Sequence, residues 1–580
     1  MLSSGSRMKR TTVILLGILA VAAVIRLWNL TGPDILEDDT HYSMRAVGYF
    51  DYIGSTNTQT SPVVWFPEPQ WWQHLSFHDA PPLVFAVQWF FFQIFGDNVF
   101  GARIPFVLAG LFAIWGMFLL GREATGKDWV GLVGAGALAV MNYHVWLSRT
   151  GLLDGFVLLW VIYALYFFLR ARNNPKYYAL WGMFCGLGML TKYTFLFMGP
   201  LFLLLLLTTR RNAWRSKWLW TGFAIFLVLL LPIIIYNVMV WRTRGHFDAA
   251  LSTMFGMHPD DFYGLSRSVT KNISSFGGVA NAMLQKMSVG FSVLILLGII
   301  LAGVTLFRKR QRELLALIFV GIIFAWVMLA FAGGSAHYDA VLLPFFLLAL
   351  GIAVVAAVEK FKTGKERIAL FMMAIIAIVW EGIFAVQSEL IPAPFWNNTA
   401  LVEAARPRWT GYNALENYVQ GFYKTYPERN YVVFSKGLQI RNRQINMIQS
   451  LYDQKRAGLQ QEHLLVYDDR MDWSGAVWIF ERRRLYDVAA IPSLSNLIDA
   501  IEGDYIYKFI EFGFKDAFVI IASDAISHNT IIDSARLDTF AKQFTAQFKP
   551  VQTIKNVEGE VVFSVYRVPL NSFKSSPLQK

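Results

Sequence analysis

Long apolar runs separated by short polar breaks dominate the first 390 positions of the chain. The runs at 195–209 and 223–235 sit in segments near the roughly 20 residues that a helix needs to cross a hydrocarbon core. The pattern predicts eleven spans, at 11–30, 103–121, 129–147, 152–170, 177–191, 193–208, 218–240, 287–307, 313–332, 339–357 and 368–388. One more apolar stretch, 82–95, would reach only ~21 Å as a helix and predicts an interfacial helix instead. Beyond about position 390 the pattern becomes that of a soluble domain, with Pro392, Pro394 and Pro407 at the exit. Runs at 431–434, 464–467, 476–480, 517–522 and 561–568 predict strands, and 444–454 and 535–548 predict helices. The expected fold is mainly α. A polytopic transmembrane helical domain occupies 1–390, with interfacial helices, and a soluble extracytoplasmic α/β domain occupies 391–580.

Composition agrees, with 55% hydrophobic and only 16% charged residues, far from the soluble balance. The start, Met8-Lys9-Arg10 followed by an apolar run, has the look of a cleaved signal. Arg26 and the bulky Leu27-Trp28-Asn29 replace the small residues a peptidase needs, so it reads as a retained first helix. The single cysteine, Cys185, excludes a disulfide framework and a cysteine metal site. The net charge of +12 comes from cations clustered in short loops. They report topology and imply no nucleic acid. With Arg7 to Arg10 inside and 82–95 not spanning, five basic loops fall inside: Arg122 to Lys127, Arg170 to Lys176, Arg210 to Lys217, Arg308 to Arg312 and Lys360 to Arg367. If 82–95 spanned, all five would move outside. The same topology puts the acidic loop 31–102, the long polar loop 241–286 and the C-terminal domain on the outer face of a plasma membrane.

Five constellations fall on that face. Leu36-Glu37-Asp38-Asp39-Thr40-His41-Tyr42 packs three carboxylates together, which suggests a bound cation, a general base or both. A solvated acidic loop is the plainer reading. In His78-Asp79-Ala80-Pro81-Pro82-Leu83 the Pro-Pro pair fixes the backbone around Asp79, which also suits a helix cap. Arg149-Thr150-Gly151-Leu152-Leu153-Asp154 places charge at a span boundary, where the default is function and the alternative is an Arg149–Asp154 pair. Lys192, in Gly188-Met189-Leu190-Thr191-Lys192-Tyr193, suits a phosphate or is a snorkelling lysine that marks a turn. In Ser335-Ala336-His337-Tyr338-Asp339, His337 or Tyr338 suits a phosphate or sugar hydroxyl, and Tyr338 also reads as an interfacial aromatic. Gly131, Gly134 and Gly136 lie within a span and are better explained by close helix packing than by a dinucleotide loop. A Walker loop, a zinc-protease helix signature and a nucleophile elbow are all absent, and no nucleotide cofactor is expected. A divalent metal is an open expectation, with Asp38, Asp79 and His258 as its candidate ligands.

In this order, the motifs resemble the membrane glycosyltransferases of the GT-C superfamily, and within it the branch of protein O-mannosyltransferases and the aminoarabinose transferase that modifies lipid A. The resemblance covers about 1–390, while the tail matches only in position and class. It implies transfer of a sugar from a polyprenyl-phosphate-linked donor to a lipid, glycan or protein acceptor, within or beside membrane lipid. The first carboxylate of the family's acidic pair falls on Asp38, which would deprotonate the acceptor hydroxyl, with inversion at the sugar. Asp39, Asp79 and Asp154 join it as catalytic candidates. Tyr42, His78, Arg149, Lys192, Arg242, His337 and Tyr338 are the expected substrate contacts, with Arg244 a further cation for the phosphate. One departure stands out. The aminoarabinose-transferase type carries Lys before the Pro-Pro pair where this chain has Ala80, so that phosphate contact is missing or supplied by another residue. The WWDYG signature of oligosaccharyltransferases is absent, which disfavours transfer of a large glycan. Two other classes compete: a lipid or sugar transporter, which would place charges near the midplane and show repeats, and a non-catalytic prenyl-lipid-binding relative.

Overall fold

The computed structural model describes residues 4–47, 71–77, 79–257, 286–332, 337–360, 364–392, 408–426, 462–483, 491–511, 513–526 and 534–575. The expected strand at 431–434, the helix at 444–454, His78 and His258 lie outside them. The chain divides into two compact units, Met1–Leu30 with Trp71–Pro407, and Thr31–Gln70 with Arg408–Lys580. The segment after the first helix therefore groups with the C-terminal domain, although its place in the sequence suggests the membrane part.

In chain order the helices up to position 392 are α1 (Ser4–Leu27), α2 (Asp38–Val47), α3 (Leu83–Phe95), α4 (Val99–Thr125), α5 (Asp128–Val140), α6 (Asn142–Arg149), α7 (Leu153–Arg170), α8 (Tyr177–Thr191), α9 (Met198–Thr208), α10 (Lys217–Arg244), α11 (Ala249–Met254), α12 (Val289–Arg308), α13 (Arg312–Ala332), α14 (Leu343–Lys360) and α15 (Gly364–Glu389). All but α2 belong to the first unit. Each of the eleven predicted segments is helical. Among the described residues eight helices are long and apolar enough to cross a membrane, or nine if the bent pair α5–α6 is one span. The segments at 177–191 and 193–208 are shorter. The chain is a multi-pass membrane protein. α3, with 13 residues, is ~20 Å long, too short for a span.

Where apolar helices break, charged side chains collect the backbone groups set free, because hydrocarbon offers them no partner. α5 and α6 meet at Met141 with a bend of 62°. Arg26 donates to the carbonyls of Ala139 (2.8 Å) and Leu138 (3.4 Å) at the end of α5. Glu381 accepts the Asn142 N–H that opens α6 and the Ser288 N–H that precedes α12, each at 2.8 Å. The glycine run in α5 serves close packing, as expected: a Cβ on Gly131 would lie 2.2 Å from the Phe118 carbonyl oxygen of α4.

The basic loops come together at one end of this unit through ion pairs. Arg170 bonds Glu123 at 3.0 Å, Arg210 bonds Glu313 at 2.5 Å, and Lys127 bonds Glu359 at 2.5 Å. Arg122 lies 3.2 Å from Asp128, and Arg172 lies 4.0 Å from Glu313.

The second unit contains a four-stranded sheet, β1 (His463–Tyr467), β2 (Asp516–Ala522), β3 (Gln552–Lys555) and β4 (Val561–Pro569), in the order β1-β2-β4-β3. β1 and β2 are parallel, and β4 runs antiparallel to β2 and β3. Its other helices are α16 (Tyr412–Thr425), α17 (Trp473–Ala476), α18 (Leu494–Glu502), α19 (Tyr507–Glu511) and α20 (Ser534–Gln547). Leu464, Val466, Val519 and Ile521 pack with Leu497 and Ile501 of α18 and Phe540 and Phe544 of α20. Phe422 of α16 meets Phe518 at 5.1 Å between ring centroids. The expected strand at 476–480 is instead helical. Asp472 accepts the N–H groups of Ser474 and Gly475 and starts a helix there, and 477–481 is buried throughout. A short apolar run does not reveal its period when all its faces are covered.

Candidate functional site

A buried cluster of charges forms in the first unit where α7, α8 and α14 begin or end. Asp154 occupies the first turn of α7 and is fully buried. α8 stops at Lys192, which turns extended while its N–H still bonds Gly188. That turn brings the Lys192 ammonium 2.7 Å from Asp154 Oδ2 and 4.0 Å from the centre of the Tyr338 ring. The His337 Nε2 lies 3.7 Å from the same carboxylate oxygen, and its ring packs edge-on to Tyr338. The Tyr143 hydroxyl donates to the His337 carbonyl at 2.8 Å and holds this segment in place.

A second pair adjoins it. Lys286 bonds Asp339 at 2.6 Å, with side chains 0% and 2% exposed, and faces the Tyr143 ring at 4.7 Å. Burial pushes the Lys286 ammonium below its usual value, while Asp339 and Asp154 pull it back up. Two ammonium groups thus face two carboxylates behind aromatic rings. Such an assembly fixes the position of each charge and keeps a cation within an otherwise apolar wall. It brings together four of the predicted residues, Asp154, Lys192, His337 and Tyr338. The sequence reading missed Lys286, Asp339 and Tyr143. Asp339 adjoined a flagged motif, and Lys286 read as the ordinary flank of a span.

A third carboxylate was also missed. Asp248 caps α11 by accepting the Leu251 N–H at 2.8 Å, and it takes bonds from the Tyr193 hydroxyl (2.5 Å) and Asn237 Nδ2 (3.0 Å). Burial raises its carboxyl to about 6, and the charge of Asp79 adds to the rise. Asp79 does not cap α3: Pro82 stands at that position, without a side-chain cap.

Arg149 makes no pair with Asp154 among the described contacts, which corrects that reading. It donates to the carbonyls of Ile25, Arg26, Trp28 and Asn29 at 2.8–3.1 Å. Its two terminal nitrogens cap the carbonyls at the end of α1, while its buried Nε has no hydrogen-bond partner among the described residues. Arg242 is exposed in the last turn of α10.

Asp38, Asp39 and Tyr42 belong to the second unit, on α2. Both aspartates stand in its first turn, where unpaired N–H groups favour negative charge. Asp39 is buried and Asp38 half-buried. The guanidinium of Arg45 lies 5.9 Å from the Tyr42 ring. The His41 ring packs at a tilt against Trp473, 4.5 Å between centroids, and burial together with Arg45 pushes its imidazole down to about 4. Among the described residues no group of three or more His, Cys, Asp or Glu side chains is arranged to hold a metal ion.

Residues 79–236 match the family described as dolichyl-phosphate-mannose-protein mannosyltransferase. No curated protein matches the chain. Among solved structures, the chain is similar to ArnT from Cupriavidus metallidurans in the apo state, with 14% identity over 97% of this chain and 98% of that chain and a TM-score of 0.53. It is also similar to the Archaeoglobus fulgidus oligosaccharyltransferase in the apo form, with 13% identity over 98% of this chain and 77% of that one and a TM-score of 0.51. The archaeal oligosaccharyltransferase AglB from Archaeoglobus fulgidus, in complex with an inhibitory peptide and a dolichol-phosphate, gives 13% identity over 99% and 77%, with a TM-score of 0.50. At such identities the likeness is one of fold.

Proposed function

From the premise that the chain has the fold of the GT-C membrane glycosyltransferases, we propose that it moves a sugar from a polyprenyl-phosphate carrier to an acceptor hydroxyl on the outer face of a plasma membrane. The observation that carries the reading is the buried Lys192–Asp154 pair under the Tyr338 ring, whose two charged members lie within the matched segment 79–236. A phosphate that departs from a sugar gains charge and needs a fixed cation. Asp154 holds the Lys192 ammonium in one place, and Arg242 and Arg244 are further cations for the carrier. The dolichol-phosphate bound by AglB is the class of lipid the reading requires. An apolar cavity lined by Trp181, Cys185, Met189, Phe195, Phe202 and Phe226 suits a prenyl chain.

In this mechanism Asp38 takes the proton of the acceptor hydroxyl as its oxygen attacks the anomeric carbon. The bond to the polyprenyl phosphate breaks on the opposite face, so the sugar inverts in a single displacement. The acceptor is a lipid, glycan or protein. Transfer from radiolabelled polyprenyl-phosphate sugars by the full-length protein in proteoliposomes tests the reading. The expected result is labelled acceptor that disappears with Asp38→Asn. Unaltered transfer by that variant removes Asp38 as the base, and substrate flux without covalent product would favour a transporter. Mass spectrometry of envelope glycans with and without the protein identifies sugar and acceptor.

A further inference from the structure

The second unit contains a helix cap supplied from far away in sequence. α16 begins after Gly411, which has φ +104° and no side chain to cap the helix. Asp34 supplies the missing carboxylate. Its Oδ2 accepts the Thr410 N–H (2.6 Å), the Thr410 hydroxyl (2.9 Å) and the Gly411 N–H (3.0 Å), and its Oδ1 accepts the Asn413 N–H (2.8 Å). The contact is reciprocal. Asn413 Nδ2 donates to the carbonyls of Thr31 (2.7 Å), Gly32 (3.1 Å) and Pro33 (2.7 Å), and the Asp34 N–H bonds the Arg408 carbonyl at 2.9 Å. Just downstream, Arg408 bonds Glu37 at 2.5 Å and His41 packs at a tilt against Trp473. Between these anchors Ile35 and Leu36 are buried, and the Thr40 hydroxyl bonds the Ile35 carbonyl. A carboxylate at a helix N-terminus with every oxygen bonded is a rigid attachment.

We propose that the C-terminal domain is the mount of the acidic motif: by capping α16, Asp34 fixes the start of α2 and so positions Asp38. Asp34 and Asn413 are positioning residues, and the inference rests on the reading of Asp38 as the base. It gives the C-terminal domain a part in the transfer reaction itself.

Hydrogen–deuterium exchange on the full-length protein in nanodiscs, combined with transfer kinetics, tests it. Asp34→Ala and Asn413→Ala should speed exchange across 35–47 by about ten-fold or more while α7 stays protected, since the opening is local. In proteoliposomes the same variants should lose about ten-fold or more in kcat with the donor KM within about two-fold, the pattern of a misplaced base. Asp34→Asn, which keeps an acceptor oxygen, should restore part of both. Unchanged exchange in 35–47 overturns the mount, and raised exchange with undiminished turnover overturns the positioning role. The exchange result stands whether or not the wild type transfers sugar, so failure of the proposed reaction is told apart from failure of the mount. Should Asp34→Ala not fold, Asn413→Ala, which leaves the carboxylate in place, decides.

Discussion

The two ends of the membrane unit use the same side chains in opposite ways. At the end of the basic loops, Lys127 and Glu359 pair with side chains 37% and 49% exposed, and Arg122 and Asp128 with 55% and 20%. Around Asp154, the Lys192 pair is 12% and 0% exposed and the Lys286–Asp339 pair 0% and 2%. Water screens these two pairs, so each contributes little, although Arg210 and Glu313 at the same end are only 7% and 20% exposed. The second set has lost its water, so each charge depends on the few opposite charges beside it. Exposed loops tolerate loose pairing, whereas in a wall without water each cation is held in a fixed place.

Breaking the deepest pair is the severest test of that contrast. Asp339→Asn or Lys286→Met should each destabilise the protein by ~3–5 kcal/mol, because one buried charge is left alone. Replacing both with apolar residues should cost clearly less, and thermal unfolding in detergent measures the difference. Equal losses for the single and double variants would deny the dependence. Next in size, Lys192→Met should lower transfer by about 100-fold or more, the scale of a lost charge-stabilising donor. Lys192→Arg should retain part of it, and near wild-type turnover by the Met variant would take Lys192 out of the site.

A pH series sharpens the contrast at the neighbouring carboxylate. Asp248 holds its proton up to about 6 when folded, against 3.8 ordinarily. Its raised value stabilises the folded state fully below about pH 4, and that stabilisation fades as pH climbs through 6. It is worth ~3 kcal/mol for two pKa units. The Tm difference between wild type and Asp248→Asn should therefore shift against the wild type from pH 4 to 7; a constant difference would contradict the buried, proton-holding carboxyl. The smallest effect belongs to the exposed end. Lys127→Ala should change stability by less than ~1 kcal/mol and leave transfer unaltered.

Much of the site was legible because charge at a span boundary is costly and therefore conspicuous. That argument pointed to Asp154, while Lys192, His337 and Tyr338 were flagged because they suit a phosphate or a sugar hydroxyl. It failed for Lys286, which looks like any cation beside a span, and for Asp248, which looks like any residue ahead of a short helix. It gave no hint of the capping contacts of Arg149, since nothing local says that carbonyls of α1 will meet its guanidinium. In the C-terminal domain, β1, β2, β4 and α20 followed their patterns, and α18 carried an unread cap signal in Ser493 and Asn496. The run at 476–480 misled because burial on all sides erased its period.

By itself the sequence determined the many-helix membrane body, the basic loops that meet through ion pairs at one end and the shortness of α3. Each follows from a one-dimensional rule: hydrocarbon thickness fixes length, and the cost of carrying cations across fixes which loops share a side. The tertiary structure decided which charge meets which. Lys286 finds Asp339, Glu381 serves the ends of two helices, and Asp34 caps a helix that begins after Gly411. Those choices depend on distances between residues far apart in the chain and on the exclusion of water, neither of which any stretch of sequence contains.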